Sequence, residues 1–404
     1  MLPVRHRLTM PSRPQRFADM PLLSSAFRPF YLLGALYAPL LAAGAAGAFV
    51  GLVDLHGSGG PLLWHGHEML FGFATAIVLG TLLTALPSWA GMPELRGTPV
   101  AVLAAAWLVG RIAFWAAPWL PAPLVALADL LLWPLLLALL ARPLWRVPQR
   151  LYRLLLPVLL ALALANLTYH AAQRAGDVAG AERALRAAVW TLVLLYSLVG
   201  GLLTPIFTGS ALRQLGCGDE LRLHMPLEAL ALALLLALAA ADLAAAPPRL
   251  AGALAAACAL VHGLRVARWR GWRVADQPLL LSMHLGFAWL LLAFVLKALA
   301  DIGGWVPAAA WLHAFTVGAL GLLMLGLMTR VALRHTGRPL VVPRLLYAAG
   351  ASLFVAAAAR LAATLHGADA RLVALAALLW AAAFAAYALQ FAAALIAPSR
   401  PRAR

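Results

Sequence analysis

Long apolar runs, repeated along almost the whole length, constrain this chain more than any other feature. Twelve stretches of about 18 to 25 mainly apolar residues follow one another, the length that a membrane-spanning helix needs. Of the 404 residues 64% are hydrophobic and 11% charged, a composition that a soluble domain of this size does not carry. The sequence therefore predicts an all-α polytopic membrane protein. The predicted spans are 30–53, 65–88, 99–117, 121–141, 154–172, 187–208, 226–245, 250–267, 279–300, 309–332, 344–364 and 371–396.

The domain organisation follows from these spans. A single transmembrane domain covers 30–396, between an arm of residues 1–29 and a tail of residues 397–404. The arm holds five arginines and several prolines without an apolar core, which predicts a basic cytoplasmic segment and not a cleaved signal peptide.

Basic residues predict the orientation in the membrane. The arm, the even-numbered loops and the tail hold 23 of the 31 Lys and Arg residues, whereas the odd-numbered loops hold five. By the positive-inside rule both termini are cytoplasmic, in a multi-pass protein of the bacterial inner membrane. The formal charge of +17 thus reflects topology and contact with the lipid bilayer, and we expect no nucleic acid partner.

The second, sixth and tenth spans differ from the others, which consist largely of Leu and Ala. They are rich in Gly and Thr, which allow close helix approach, and each has a threonine near its inner end: Thr84, Thr204 and Thr329. The separations of 120 and 125 residues favour a threefold repeat of four-helix units, weakly reinforced by Arg111 and Arg360. Chance similarity among Leu- and Gly-rich helices is the alternative.

Ionisable residues inside a bilayer are costly, so each is a functional candidate. In the predicted topology five of them gather near the periplasmic face, and four further histidines lie towards the cytoplasmic face. The first group is His65, His67, Glu68, His170 and His313; the second is His262 and His284 within spans, with His224 and His335 in adjoining loops. For His170, His262 and His366 a hydrogen-bonded interfacial histidine is the simpler interpretation.

Imidazole dominates this set of ligands. Two cysteines, Cys217 and Cys258, cannot form a four-thiolate site, and imidazole is the ligand shared by haem iron and copper. His65 and His67 are about 200° apart on a regular helix, so we expect them to face two different partners.

Seven segments resemble the NnrS family of membrane proteins, in order and over most of the chain. The resemblance implies haem, copper and a connection with nitric oxide, in the nitrosative stress response or denitrification. It implies that the site residues are among those that the matching segments contain: His65, His67, Glu68, His284, His313 and His335. The segments are FRPFYLLGALY from Phe27, WHGHEMLFGF from Trp64, LTALPSWAG from Leu83, LVGR from Leu108, HLGFAW from His284, HAFTVGA from His313 and MTRVALRHTGR from Met328.

Ligand roles are predicted on this basis. His67 and His313 would hold one haem, of the b type. Each lies at the start of an out-to-in span, and the two histidines are separated by similar numbers of residues from the inner threonines of their spans. If His67 is not a haem ligand, His65 takes its place. His65 with Glu68 would form an outer copper site, with His170 as the nearest third ligand and His284 as the inner alternative. The haem propionates would pair with arginines: Arg28, Arg111 or Arg330, of which the first and last could instead extend to the headgroups.

Three functions stay open. The first is a haem and copper protein that binds nitric oxide or turns it over, in the second case as an oxidoreductase with an electron donor that the sequence does not identify. The layout of twelve helices in a threefold arrangement resembles haem–copper oxidases, which is analogy at the level of the fold. The alternatives are a transporter of a metal ion or small anion through a histidine-lined path, and a quinol-linked or sensory subunit with a structural haem.

Overall fold

Twelve helices long and apolar enough to cross a membrane form the structure, a computed structural model that describes residues 19–49, 51–53, 60–147, 150–216 and 223–401. No strand occurs in these ranges. All twelve predicted spans are confirmed. They are α1 (Phe27–Phe49), α2 (Pro61–Ala90), α3 (Thr98–Trp115), α4 (Ala122–Arg146), α5 (Leu155–Arg174), α6 (Val178–Gln214), α7 (Met225–Leu243), α8 (Pro248–Ala267), α9 (Pro278–Gly303), α10 (Ala310–His335), α11 (Arg344–Leu365) and α12 (Ala370–Ile396).

The largest difference from the prediction is the length of α6. Its first residue, Val178, lies nine residues before the predicted start, and the carboxylate of the preceding Asp177 accepts a hydrogen bond from the Gly180 amide at 2.8 Å. A side-chain acceptor at this position satisfies an amide that has no partner within the helix. Arg183 and Arg186 therefore lie on the first turns of α6 and not in a loop.

Three helices occupy the centre. In α2, α6 and α10, 83%, 72% and 78% of the residues in the most apolar window are buried, against 56% or less in every other span. These are the Gly- and Thr-rich spans. Each contains a wide π-helical segment, at Glu68–Ala74, Tyr196–Gly200 and Ala314–Leu320. Such segments are rare and often occur at functional sites. The threefold repeat itself stays a prediction.

Exposed tryptophans mark both ends of the bundle. Trp119 and Trp305 follow α3 and α9, at the end opposite the termini, and are 80% and 68% exposed. Trp145 and Trp272 lie at the end of α4 and after α8, at the other end. Tryptophan is enriched where a membrane meets water. The two pairs therefore fit a bundle that crosses a bilayer.

The first and last spans are joined by Arg28, which is 2% exposed. Its Nη1 donates to the carbonyls of Leu395 at 2.8 Å and Ala397 at 2.7 Å, and its Nη2 to Ser399 Oγ at 2.7 Å. A guanidinium at a helix C-terminus satisfies carbonyls that have no intrahelical donor. The start of α1 and the end of α12 thus meet. Residues 1–18 of the predicted arm, residues 402–404 of the tail and Cys217 lie outside the described residues.

Candidate metal centre

A cluster of charged and polar side chains is buried where α2, α3, α4 and α5 meet. We call it the acidic centre. Its two carboxylates, Glu68 and Asp129, are 0% and 3% exposed. Glu68 begins the π-helical segment of α2, and Asp129 lies on α4. The members are His67, Glu68, Arg111, Asp129, Asn166 and His170.

The ring of His67 is fixed on all sides. Its Nδ1 lies 3.0 Å from Glu68 Oε1, and its Nε2 lies 2.9 Å from Asn166 Oδ1 and 3.1 Å from Asp129 Oδ2. The ring stacks on Phe114 at a centroid distance of 4.0 Å. His67 therefore presents Nε2 to the carboxylate of α4 in one orientation.

Asp129 connects the cluster across three helices. Besides His67, its Oδ2 lies 2.8 Å from His170 Nε2 and 2.8 Å from Asn166 Nδ2, both on α5. Gly110 on α3 allows this approach, because a Cβ there would lie 3.1 Å from the Asp129 Cα. Close helix contact at a glycine is common in membrane bundles.

Arg111 bridges the two carboxylates. Its Nη1 donates to Glu68 Oε1 and its Nη2 to Asp129 Oδ1. The hydroxyl of Tyr37 donates to the other oxygen of Glu68 and accepts a hydrogen bond from Trp115 Nε1 at 2.9 Å. Every carboxylate oxygen in the centre thus has a partner, as burial requires.

Three members of the centre could hold a metal ion. One ligand atom each from His67, Asp129 and His170 lie within 4.8 Å of one another. The ligand atoms of a tetrahedral ion with bonds of about 2.0 to 2.1 Å are about 3.3 Å apart. Small shifts would therefore admit an ion. Two imidazoles and one carboxylate suit zinc, copper or iron.

Formal charge favours a cation in this place. With both imidazoles neutral, Glu68 and Asp129 outweigh Arg111 and leave one net negative charge in a buried site. A buried net charge is costly. Either a proton on His67 or a bound metal cation removes it.

His65 and His313 lie in a second polar group, with Arg360. The three side chains are half-buried and interact electrostatically with one another. His65 Nδ1 is buried and without a hydrogen-bond partner among the described residues. We call this group the arginine–histidine site. His65 and His67 thus face different neighbours, as their spacing predicts.

The remaining predicted residues lie apart from both groups. His284 Nε2 bonds to Thr208 Oγ1 at 3.0 Å, and His335 packs on Phe27 with ring centroids 5.6 Å apart. The guanidinium carbon of Arg330 lies 3.8 Å from the ring centroid of Phe207. The roles predicted for them as metal ligands or propionate partners stay predictions.

Sequence reasoning missed several members of the acidic centre. Asp129 is an intramembrane carboxylate in an otherwise apolar span, a signal that could have been used. Asn166, and Tyr37 beside the centre, gave no signal, because an amide or a phenol in a span is ordinary. For His170 the sequence favours an interfacial histidine and gives a third copper ligand as the alternative; in the structure its Nε2 lies 2.8 Å from Asp129 Oδ2.

The fold and this site define a class: a twelve-span α-helical membrane protein with a buried histidine and carboxylate group that could bind a metal. Comparison with protein-family models gives the family. The NnrS protein family matches residues 21–399, so the chain belongs to the NnrS family. This family consists of nitric-oxide-related membrane proteins and is associated with haem and copper. No curated protein matches the chain.

Proposed function

We propose that this protein holds haem and copper in the membrane and binds or turns over nitric oxide, in the nitrosative stress response or denitrification. The observation that carries the proposal is the acidic centre, where His67, Asp129 and His170 offer three ligand atoms to one ion. Family membership supports the connection with nitric oxide.

We assign copper to the acidic centre. Imidazole and carboxylate ligands accept copper, and the net negative charge favours a cation over an empty site. Glu68 then positions a ligand and does not bind the ion itself, because it contacts His67 Nδ1 and leaves Nε2 for the ion. A ligating histidine commonly donates its other N–H to a carboxylate, which fixes the ring.

The haem is assigned to His65 and His313. If His67 serves the copper, the prediction for the haem passes to His65, whose buried Nδ1 has no partner among the described residues. His313 lies within electrostatic range of His65, on the neighbouring central helix. When bound, such an iron would supply a Lewis acid that takes nitric oxide in exchange for one of the two imidazoles.

The decisive experiment is metal analysis and absorption spectroscopy of purified His67→Ala and His313→Ala variants. We expect H67A to lose copper and keep the haem spectrum, and H313A to lose the haem spectrum and keep copper. Loss of haem in both variants would instead restore the pairing of His67 with His313. Wild-type protein without haem or copper would contradict the proposal and favour a transporter.

Nitric oxide is tested on the same samples. Addition of the gas to reduced wild-type protein should shift the haem absorption bands, and the shift should be missing in H313A. A haem spectrum that does not respond to nitric oxide would indicate a structural haem and contradict the proposed function.

The proposed location is the bacterial inner membrane, with both termini cytoplasmic, because basic residues favour that side. Reporter fusions after Ser399 and within residues 142–153 should report the cytoplasm, and fusions within residues 54–63 the periplasm. A periplasmic C-terminus would contradict this orientation.

A further inference from the structure

A cavity of about 50 Å³ lies between the three central helices. Its walls include Ile77 and Thr81 of α2, Leu195 and Val199 of α6, and Leu323 of α10. All of these residues lie near the middle of their helices. In a bundle that crosses a bilayer, the cavity therefore lies near the middle of the membrane.

Two of the wide π-helical segments border this central cavity. Tyr196, Val199 and Gly200 belong to the segment of α6, and Leu320 ends the segment of α10. Gly200 brings the two helices together beside the cavity, because a Cβ there would lie 3.0 Å from Leu323 Cδ2. The cavity thus lies where both helices depart from regular α-helical geometry, which often marks a functional site.

The walls of the central cavity offer little to a polar ligand. Thr81 and Tyr196 carry the only hydroxyl groups among its described lining residues. Thr81 Oγ1 donates to the carbonyl of Ile77 at 2.9 Å and lies 2.8 Å from the hydroxyl of Tyr31. The hydroxyl of Tyr196 lies against α9, where a Cβ at Gly286 would be 2.7 Å from it. A buried water makes about three hydrogen bonds, so the cavity favours an apolar occupant.

Size limits the occupant further. One water needs about 10–15 Å³ of such space, and an engineered apolar cavity of about 150 Å³ binds benzene or xenon. The central cavity, at about 50 Å³, therefore suits a molecule of very few heavy atoms.

We propose that the central cavity binds a small uncharged gas molecule inside the membrane. An uncharged diatomic gas needs no hydrogen-bond partner and fits the available space. That the gas is nitric oxide rests on the proposed function, whereas the binding of an apolar gas does not.

Crystals of the purified protein under xenon pressure test the site directly, because the anomalous scattering of xenon locates it. We expect xenon between Thr81, Leu195 and Leu323. Leu195→Phe should lower its occupancy about tenfold, because the larger side chain fills the space, and Leu195→Ala should keep or raise it. Leu194→Phe is the matched control. It makes the same change at the adjacent half-buried residue of α6, outside the lining of the cavity, and should leave xenon in place.

Three results would overturn the proposal. They are the absence of xenon from the cavity, ordered water or a lipid acyl chain in it, and equal loss of xenon from L195F and L194F. If L195F does not fold, Val199→Phe fills the cavity from the next turn of α6 and replaces it in the comparison.

Nitric oxide is tested separately, by flash photolysis of the gas from the haem. We expect the wild type and L194F to show a slow rebinding phase from molecules held in the cavity, and L195F to lose it. Xenon binding with identical rebinding in L195F and L194F would overturn the assignment to nitric oxide and keep the gas site. Xenon binding in a protein whose haem does not take nitric oxide would contradict the proposed function alone.

Discussion

The acidic centre and a second buried cluster, around Arg265, are built from similar parts. In the second cluster Arg265 of α8, 4% exposed, donates from Nε to Glu228 Oε2 at 2.7 Å and from Nη1 to Ser197 Oγ at 3.0 Å. Its Nη2 donates to the carbonyl of Ser197 at 3.1 Å, in the π-helical segment of α6. His262 lies beside it, with Nδ1 3.4 Å from Nη1.

Charge separates the two clusters. Arg265 and Glu228 balance each other, and the guanidinium also serves a backbone carbonyl of a widened helix. Arg111 faces two carboxylates, so its cluster keeps a negative charge and has two imidazoles turned towards it. The comparison teaches that an arginine, an acid and a histidine near a π-helical segment do not by themselves leave a net charge for a cation. The second carboxylate and the second imidazole distinguish the acidic centre as a candidate metal site.

The largest effect is expected from Asp129→Asn. This variant removes the only carboxylate among the three candidate ligands and the charge that favours a cation. We expect copper in the purified protein to fall from about one equivalent to background.

Asp242→Asn is the control for that experiment. The side chain of Asp242 is also largely covered, at 7% exposed; it pairs with Lys297 at 2.6 Å and accepts from Trp190 Nε1 at 2.7 Å. Its replacement should leave copper content unchanged. Copper lost equally in both variants, or kept in both, would remove the distinction between the acidic centre and other buried ion networks.

Arg265→Ala should destabilise the fold without removing metal. It leaves Glu228 and the carbonyl of Ser197 unpaired in the bundle, a loss of about 3 kcal/mol or more in the free energy of unfolding. Thermal unfolding in detergent measures it, with copper content as the second reading. Loss of copper at temperatures where the protein stays folded would show that the two clusters are linked.

A smaller effect is expected from Glu68→Gln. The amide keeps an oxygen beside His67 Nδ1 but removes the charge that orients the ring, so copper affinity should fall about 10- to 100-fold. Competition with a copper chelator measures this, and Glu228→Gln in the Arg265 cluster is the control. A complete loss of copper equal to that of D129N would make Glu68 a ligand, as the sequence predicted.

The smallest effect is expected from Tyr37→Phe. It removes one hydrogen-bond donor from Glu68 and the acceptor of Trp115 Nε1, which together correspond to about 1–3 kcal/mol. We expect a modest fall in unfolding temperature with copper retained. Tyr387→Phe, whose hydroxyl donates to the carbonyl of Met328, gives the same chemical change far from the acidic centre. Release of copper by Y37F alone would place Tyr37 among the residues that fix the metal.

The twelve spans could be predicted because their signal is local: an apolar run of sufficient length. The three central helices were also distinguished, since Gly and Thr replace Leu and Ala where helices approach closely. Their π-helical segments could not be predicted, because a widened turn depends on partners from other helices. Trp107 Nε1, for example, donates to the carbonyl of Gly72 at 3.0 Å.

The candidate site was predicted only in part. Depth along the spans placed His65, His67, Glu68 and His313 at one level, but depth does not give the rotation of each helix. The structure turns His67 towards Asp129, whereas His65 lies within electrostatic range of His313. Because helix rotation is set by packing between distant segments, a single sequence does not report which histidines form a pair.

The contact of Arg28 with the end of α12 brings the two ends of the described domain together, which allows the order of the helices along the chain to be changed. Since Arg28 hydrogen-bonds Ser399, a short linker could join the two ends of the described domain. New ends could then be opened between α4 and α5, on the side where the old ones lay. Such a circular permutant should insert and fold with the same helix contacts, because α1 and α12 already pack against each other.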